Sequence, residues 1–268
     1  MSAAKSPSTS DVVKDAVATD FVVTRDGERL NVRLLEPRRL SSKPLLLLNF
    51  ATDRHQSLED PLYGAPVRMF LENGHRALSF DVPAHGERID RHGQGIHGLC
   101  AAFLAGDDPF VRFVGDGRAV IDECIRRGWT ESGRVVVCGN SRSAYQALRL
   151  AAADTRVGAV AGLAPVTDWR FLSEFAAVKD RPEVAALALE QFAGQLAGRR
   201  IYLAIGNGDR RVGSEACARL VAAIYAYEAQ YPPSHYGLKA VFTDDSPAHT
   251  LADRWSDEAT TFLMTAAP

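Results

Sequence analysis

The sequence predicts an α/β protein with a doubly wound, mostly parallel sheet that carries helices on both faces. Short continuous apolar runs, which suit strands buried on both sides, alternate with longer segments of helical periodicity along most of the chain. Strands joined through helices run parallel, because each crossover returns the chain to the same edge of the sheet. Of the 268 residues, 46% are hydrophobic, which is enough to fill one large core.

An antiparallel hairpin is expected before the parallel part of the sheet. The strand-like segments 21–24 and 30–35 flank Asp26-Gly27, a pair that supplies the positive φ angles of a tight turn. The preceding residues, 1–20, are rich in small and polar side chains and are predicted to be disordered. Residues 21–268 are therefore expected to form a single domain.

The remaining elements follow in regular alternation. Apolar runs predict strands at 44–48, 76–80, 135–138, 160–164, 201–205 and 238–242. Helical spacing and end signals predict a helix that ends near Gly74, with further helices at 119–127, 144–153, 214–230 and 251–264. Ser214 is the expected N-cap of the helix at 214–230.

One segment, residues 168–198, interrupts the alternation. It contains a helix-like stretch at 182–196, with Pro182 suited to the first helical turn. Because it stands between two predicted strands, we expect a short helical insertion, and we regard it as a candidate lid.

The strand at 135–138 leads directly into Gly139-Asn140-Ser141-Arg142-Ser143, and a helix follows. A serine between small residues on a sharp strand-to-helix turn is typical of a nucleophile elbow, which holds the hydroxyl above the sheet. The flanking residues must be small because strand and helix pass close to each other there. Ser143 stands where the usual pattern has Gly, which is a mild departure. Ser141 is therefore the predicted nucleophile.

A serine hydroxyl needs a base to take its proton, and the base needs an acid to orient it. Asp209 follows the strand at 201–205, and His249 follows the strand at 238–242. Both therefore lie at the carboxyl edge of the sheet, as Ser141 does. We predict Asp209 as the acid and His249 as the base. Asp168, which follows the strand at 160–164, is the alternative acid.

These residues, together with the stretch Asp81-Val82-Pro83-Ala84-His85-Gly86-Glu87-Arg88, resemble the α/β-hydrolase superfamily. Gly-x-Ser-Arg and Asp-x-Pro-x-His-Gly-Glu are similar to single-domain relatives of its prolyl-oligopeptidase and dienelactone-hydrolase branches, from about Phe21 onward. The resemblance implies a serine hydrolase that requires no cofactor and no metal. It also implies that the 81–88 loop is a structural turn beside the site, so His85 is not a predicted catalytic residue.

The developing negative oxygen of an acyl transfer needs two backbone N–H donors. The first is expected to be the N–H of Arg142, directly after the nucleophile. The second should come from Asn49-Phe50-Ala51-Thr52, after the strand at 44–48, where many relatives have His-Gly. By position, Ala51 is the expected donor.

Residues for substrate binding are predicted from position alone. Arg54, Arg142, Arg210 and Arg211 follow strand ends or the nucleophile, where a guanidinium can pair with a substrate carboxylate or be solvated in a loop. The side chains chosen as candidates for substrate contact are Arg54, Phe50, Trp169 and Arg210.

Composition narrows the partners. The formal charge of −2, from 31 basic and 33 acidic residues, gives no strong field for nucleic acid or anionic membranes. No apolar run reaches the ~18 residues of a membrane span, and the first 20 residues lack a signal-peptide core. The four cysteines show no zinc or CxxC spacing. We expect a cytoplasmic protein with a small-molecule partner, and the composition is compatible with a homo-oligomer.

The first functional expectation is a carboxylesterase-type acyl hydrolase that acts on a small-molecule ester. A peptidase, or an enzyme that cleaves lactones, thioesters or carbon–carbon bonds, would use the same three residues. A non-catalytic member of the fold that serves as a binding protein is a third alternative. The presence of Ser141, Asp209 and His249 together argues against that alternative.

Overall fold

The structure, a computed structural model, describes residues 11–244 and 248–265. Across these residues eight strands form one sheet in the order β1-β2-β4-β3-β5-β6-β7-β8. The pairs β1–β2 and β2–β4 are antiparallel and all other pairs are parallel. The predicted fold class is confirmed, since a mostly parallel sheet follows an antiparallel start.

The strands span Val17–Arg25 (β1), Glu28–Glu36 (β2), Leu46–Phe50 (β3), Arg76–Phe80 (β4), Val135–Asn140 (β5), Val157–Leu163 (β6), Arg200–Gly206 (β7) and Leu238–Thr243 (β8). The helices span Asp11–Asp15 (α1), Arg54–Glu59 (α2), Ala65–Glu72 (α3), Gly95–Leu104 (α4), Pro109–Arg126 (α5), Arg142–Ala153 (α6), Pro182–Ala185 (α7), Ala193–Leu196 (α8), Ser214–Gln230 (α9) and Asp253–Met264 (α10). Within the described ranges, no helix is long and apolar enough to cross a lipid bilayer.

The hairpin forms at the predicted turn but begins earlier than expected. Asp26 and Gly27 take φ angles of 52° and 82°, and the strands pair from Arg25↔Glu28 out to Val17↔Glu36. The prediction of disorder is therefore wrong for residues 11–20, because β2 pairs with β1 along its full length and side chains of the α1 segment pack beside α3. Residues 1–10 lie outside the described residues.

The core consists of two apolar layers, one on each face of the sheet. Alternate residues of β5 point to opposite faces, so Val135 and Val137 belong to one layer and Val136 and Cys138 to the other. All residues of β3, β4 and β5 are buried. Continuous burial on both faces explains the uninterrupted apolar runs from which these strands were predicted.

The segment 168–198 is broken rather than a single helix at 182–196. It contains the 3₁₀ turns Trp169–Phe171, Ser173–Val178 and Leu189–Phe192 together with α7 and α8. The helix is interrupted because Ala188 leaves the helical conformation, with φ −57° and ψ 132°, and the N–H of Leu189 donates to Thr167 O at 2.8 Å. The hydroxyl of Tyr145 on α6 donates to Leu187 O at 2.8 Å. This segment thus packs on the core, and its motion as a lid stays a prediction.

Candidate active site

Three polar side chains meet at the carboxyl edge of the sheet. Ser141 follows β5, Asp209 follows β7 and His249 follows β8, and these strands belong to one parallel run with β6 between β5 and β7. Because parallel strands end at the same edge, residues far apart in sequence arrive side by side.

The turn between β5 and α6 fixes the position of Ser141. Its φ and ψ are 53° and −118°, an unusual backbone conformation for a residue with a side chain. A Cβ at Gly139 would lie 2.4 Å from Ser143 O, so this position requires glycine. The N–H of Ser141 donates to Leu163 O at 2.8 Å, and its carbonyl accepts from Val166 N at 3.0 Å. These bonds hold the strained turn in place.

The departure from the usual motif at Ser143 has a structural explanation. The hydroxyl of this buried side chain donates a hydrogen bond to Ala51 O at 2.7 Å. It thereby joins the first turn of α6 to the loop that follows β3. A serine is accommodated where glycine is usual because its hydroxyl satisfies a buried carbonyl.

A chain of hydrogen bonds links the three residues. The distance from His249 Nε2 to Ser141 Oγ is 2.9 Å, and the distance from His249 Nδ1 to Asp209 Oδ2 is 2.8 Å. A carboxylate can only accept, so Nδ1 carries the proton and Nε2 presents its lone pair to the serine hydroxyl. This arrangement can take the proton from the hydroxyl as the oxygen attacks an electrophile.

Asp209 is almost fully buried and is held in its ionised form. Burial works to raise its pKa, but hydrogen bonds from His249 and from two backbone N–H groups outweigh burial, so the pKa lies below its ordinary value. Those N–H groups belong to Arg211 and Val212, at 3.0 and 3.2 Å from Oδ1. The turn is tied to the sheet by Ser214, whose hydroxyl donates to Gly206 O, while Gly213 rather than Ser214 is the N-cap of α9.

Asp168, the alternative acid, is engaged elsewhere. Its carboxylate pairs with Arg170 at 2.6 Å and with Arg219 at 3.4 Å, and it accepts from the Arg170 N–H. The structure therefore brings Asp209, and not Asp168, to His249.

The two expected oxyanion donors differ in their availability. Arg142 is the first residue of α6, and its N–H has no acceptor among the described residues, as expected at the start of a helix. The N–H of Ala51, in contrast, donates to Ser57 Oγ at 2.9 Å, so the prediction for Ala51 does not fit the structure. Ser57 reaches it because α2 follows closely and its hydroxyl also donates to Asp53 O. The next N–H, that of Thr52, has no acceptor among the described residues.

Two of the arginine candidates are neutralised by carboxylates. Arg54 pairs with Asp81 at 2.9 Å and with Glu87 at 2.6 Å, and its side chain is only 13% exposed. Arg211 donates to Glu174 at 2.8 Å. These guanidinium groups hold loops together, so the prediction of Arg54 as a substrate-binding residue does not fit its position. Arg210 is exposed to solvent.

The aromatic candidates belong to the core. Phe50 is fully buried, with its ring 4.8 Å from that of Phe80 and 4.9 Å from that of Phe113. Trp169 is likewise fully buried and packs against the rings of Phe110, Tyr145 and Phe175. Neither ring is accessible to a substrate, because each side chain is fully buried in the core. Both residues were predicted to contact substrate because they follow predicted strands, and that criterion does not distinguish a pocket residue from a core residue.

His85 makes a contact that the sequence did not predict. Its Nδ1 lies 3.0 Å from Pro83 O, and its Nε2 lies 2.9 Å from Arg142 Nε. Burial, aided by the charge of Arg142, lowers the pKa of His85 to about 4. The imidazole is therefore neutral near pH 7, with Nδ1–H donating and Nε2 accepting. The only sequence feature that points to a role for His85 is its place in the 81–88 motif.

In the ranges 11–244 and 248–265, His, Cys, Asp and Glu side chains do not form a group of three that could hold a metal ion.

Comparison with solved structures identifies the fold. A cold-adapted esterase from an Arctic intertidal metagenomic library is similar, with a TM-score of 0.69, 16% identity and 95% of each chain covered. For an esterase of Pyrococcus furiosus the TM-score is 0.67, with 15% identity and 98% of this chain and 97% of that chain covered. For acetyl xylan esterase 1 of a Thermoanaerobacterium species the values are 0.69, 16%, 95% and 84%.

At the level of sequence, no protein-family model and no curated protein matches the chain. The structural likeness, over nearly the whole chain, shows that the protein has the α/β-hydrolase fold.

Proposed function

We propose that the protein is a serine hydrolase that cleaves small-molecule carboxylic esters through an acyl-enzyme. The observation that carries the proposal is the hydrogen-bond chain from Asp209 through His249 to Ser141, with the serine on a strained turn. The esterases among the similar structures support this reaction class. Fold alone does not fix function, so the proposal rests on the site.

Acylation begins when His249 Nε2 takes the proton of Ser141 as Oγ forms a bond to the ester carbonyl carbon. The carbonyl electron pair moves onto oxygen, which the N–H of Arg142 stabilises. Asp209 keeps Nδ1 protonated and stabilises the imidazolium that has formed. The tetrahedral intermediate then expels the alcohol oxygen, which takes the proton from His249 Nε2.

Deacylation repeats these steps with water in place of the serine. His249 takes a proton from water while the water oxygen attacks the acyl carbon. Collapse of the second intermediate breaks the bond to Ser141 Oγ, which recovers its proton from His249. The products are the free acid and a regenerated site.

The second oxyanion donor is proposed to be the N–H of Thr52. Ala51 is excluded from this role because its N–H donates a hydrogen bond to Ser57 Oγ, whereas the N–H of Thr52 has no acceptor among the described residues. Both residues follow β3, which pairs with β5 directly beside the serine turn.

A fluorophosphonate probe tests the chemistry without a choice of substrate, since it reacts with activated serines. Labelling that peptide mapping locates at Ser141, and that is lost in Ser141→Ala and in His249→Ala, is expected. Absence of labelling in the native protein would favour a non-catalytic binding protein. Labelling without hydrolysis of any simple ester would favour a peptidase or a lactone, thioester or carbon–carbon hydrolase.

A further inference from the structure

The guanidinium of Arg142 occupies an unusual position beside the nucleophile. Its Nε donates to His85 Nε2 at 2.9 Å. Its two terminal nitrogens have no hydrogen-bond partner among the described residues, and they are not among the polar atoms shut off from solvent. Both terminal nitrogens of the residue that follows Ser141 are therefore unpaired among the described residues, and neither is completely shut off from solvent.

The charge of Arg142 is not neutralised within the described part of the chain. Arg54 and Arg211 have carboxylate partners, but no carboxylate there forms an ion pair with Arg142. The charge of Glu174 acts to raise the pKa of Arg142, but this carboxylate accepts a hydrogen bond from Arg211. A half-buried cation without a counterion is unfavourable unless a ligand supplies the negative charge.

The partner that positions Arg142 is a neutral acceptor. His85 donates Nδ1–H to Pro83 O, which leaves Nε2 as the acceptor for the guanidinium. With a pKa near 4 it keeps this state at neutral pH. The imidazole therefore orients the guanidinium while leaving its positive charge intact.

The topology indicates which part of a substrate would meet Arg142. His85 follows β4 and His249 follows β8, and these strands lie on opposite sides of β5. In the proposed mechanism His249 protonates the leaving alcohol, so the alcohol lies toward β8. The acyl part then extends toward β4, where Arg142 is held.

We propose that Arg142, oriented by His85, binds a carboxylate at the far end of the acyl chain, so that the preferred substrates are half-esters of dicarboxylic acids. This proposal rests on the proposed ester hydrolysis. A guanidinium with two free nitrogens matches the two oxygens of a carboxylate, which gives directional as well as electrostatic recognition.

The test compares p-nitrophenyl half-esters of succinate, glutarate and adipate with the same esters methylated on the far carboxyl group. For at least one chain length, kcat/KM is expected to be about tenfold or more higher for the acid. Arg142→Gln should abolish this ratio, with KM for the acid rising more than kcat falls. Arg29→Gln removes an exposed arginine charge at the start of β2, which has no role in the proposed site, and should retain the ratio. A ratio of one in the native protein, or an unchanged ratio in Arg142→Gln, would overturn the proposal.

A binding measurement separates this proposal from the proposed function. Calorimetry with glutarate and its diamide is expected to show binding of the diacid alone, weakened about tenfold or more in Arg142→Gln and kept in Ser141→Ala. His85→Gln, which keeps an acceptor, should bind glutarate more tightly than His85→Phe. Glutarate binding that depends on Arg142, without any ester hydrolysis, would refute only the proposed esterase function. Ester hydrolysis without glutarate binding would refute only the proposed carboxylate site at Arg142.

Discussion

The hydroxyl of Ser143 donates a hydrogen bond to the carbonyl oxygen of Ala51, 92 residues away in sequence. This bond joins the first turn of the helix behind the serine to the loop that follows β3. The two backbone segments proposed to stabilise the oxyanion are therefore linked through a side chain that the usual motif lacks.

Replacing Ser143 by Ala should leave Ala51 O buried without a partner. The free energy of unfolding is expected to fall by about 1–3 kcal/mol, the range for an unsatisfied buried polar group. Urea unfolding measures the change, with Ser132→Ala as the control because Ser132 is exposed. Equal stability of the two variants would show that the Ser143 bond contributes nothing.

The proposed role of the Thr52 N–H predicts a difference between two variants of one position. Thr52→Pro removes the N–H and is expected to lower kcat about 10²–10³-fold, as the loss of one oxyanion donor does elsewhere. Thr52→Val removes the bond from Thr52 Oγ1 to Gln56 but keeps the N–H, so its kcat should stay near that of the native protein. Esterase kinetics on folded variants, checked by circular dichroism, would reject the assignment if Pro and Val had equal effects.

The lowered pKa of His85 predicts a pH dependence of stability. Its pKa falls from 6.5 to about 4 on folding, so the unfolded chain takes up the proton first as the pH decreases. The contribution of neutral His85 is therefore present above pH 6.5 and is lost as the pH falls through about 4, by at most about 3 kcal/mol.

This pH effect is measured by urea unfolding of the native protein and of His85→Gln at neutral pH and near pH 4. The native protein should lose more stability than the variant over this interval. Parallel losses would show that His85 does not enter the folded state as a buried neutral imidazole.

The sequence predicted what depends on local pattern. The buried runs of β3 and β5 and the small residues around Ser141 each determine a conformation through near neighbours, so the sheet and the serine turn were predictable. The strand ends also placed Asp209 and His249 correctly relative to the sheet edge, because parallel topology converts order along the chain into position.

What the sequence could not give depends on contacts between distant segments. The use of the Ala51 N–H by Ser57, and the pairing of Arg54 with Asp81, arise only when the loops after β3 and β4 fold against each other. The prediction that Phe50 and Trp169 contact substrate fails because both side chains are buried against other aromatic rings. The stretch 182–196 has helical periodicity, yet bonds to Thr167 and Tyr145 break it.

Ser141 is proposed to be an activated nucleophile, and ester hydrolysis by the native protein and by Ser141→Ala tests this role most directly. The series of p-nitrophenyl esters from acetate to dodecanoate covers a wide range of acyl chain lengths. Hydrolysis is expected to fall by orders of magnitude in the variant, up to ~10⁶ in kcat. Hydrolysis that persists undiminished in Ser141→Ala would contradict the assignment of Ser141, because another group would then be the nucleophile.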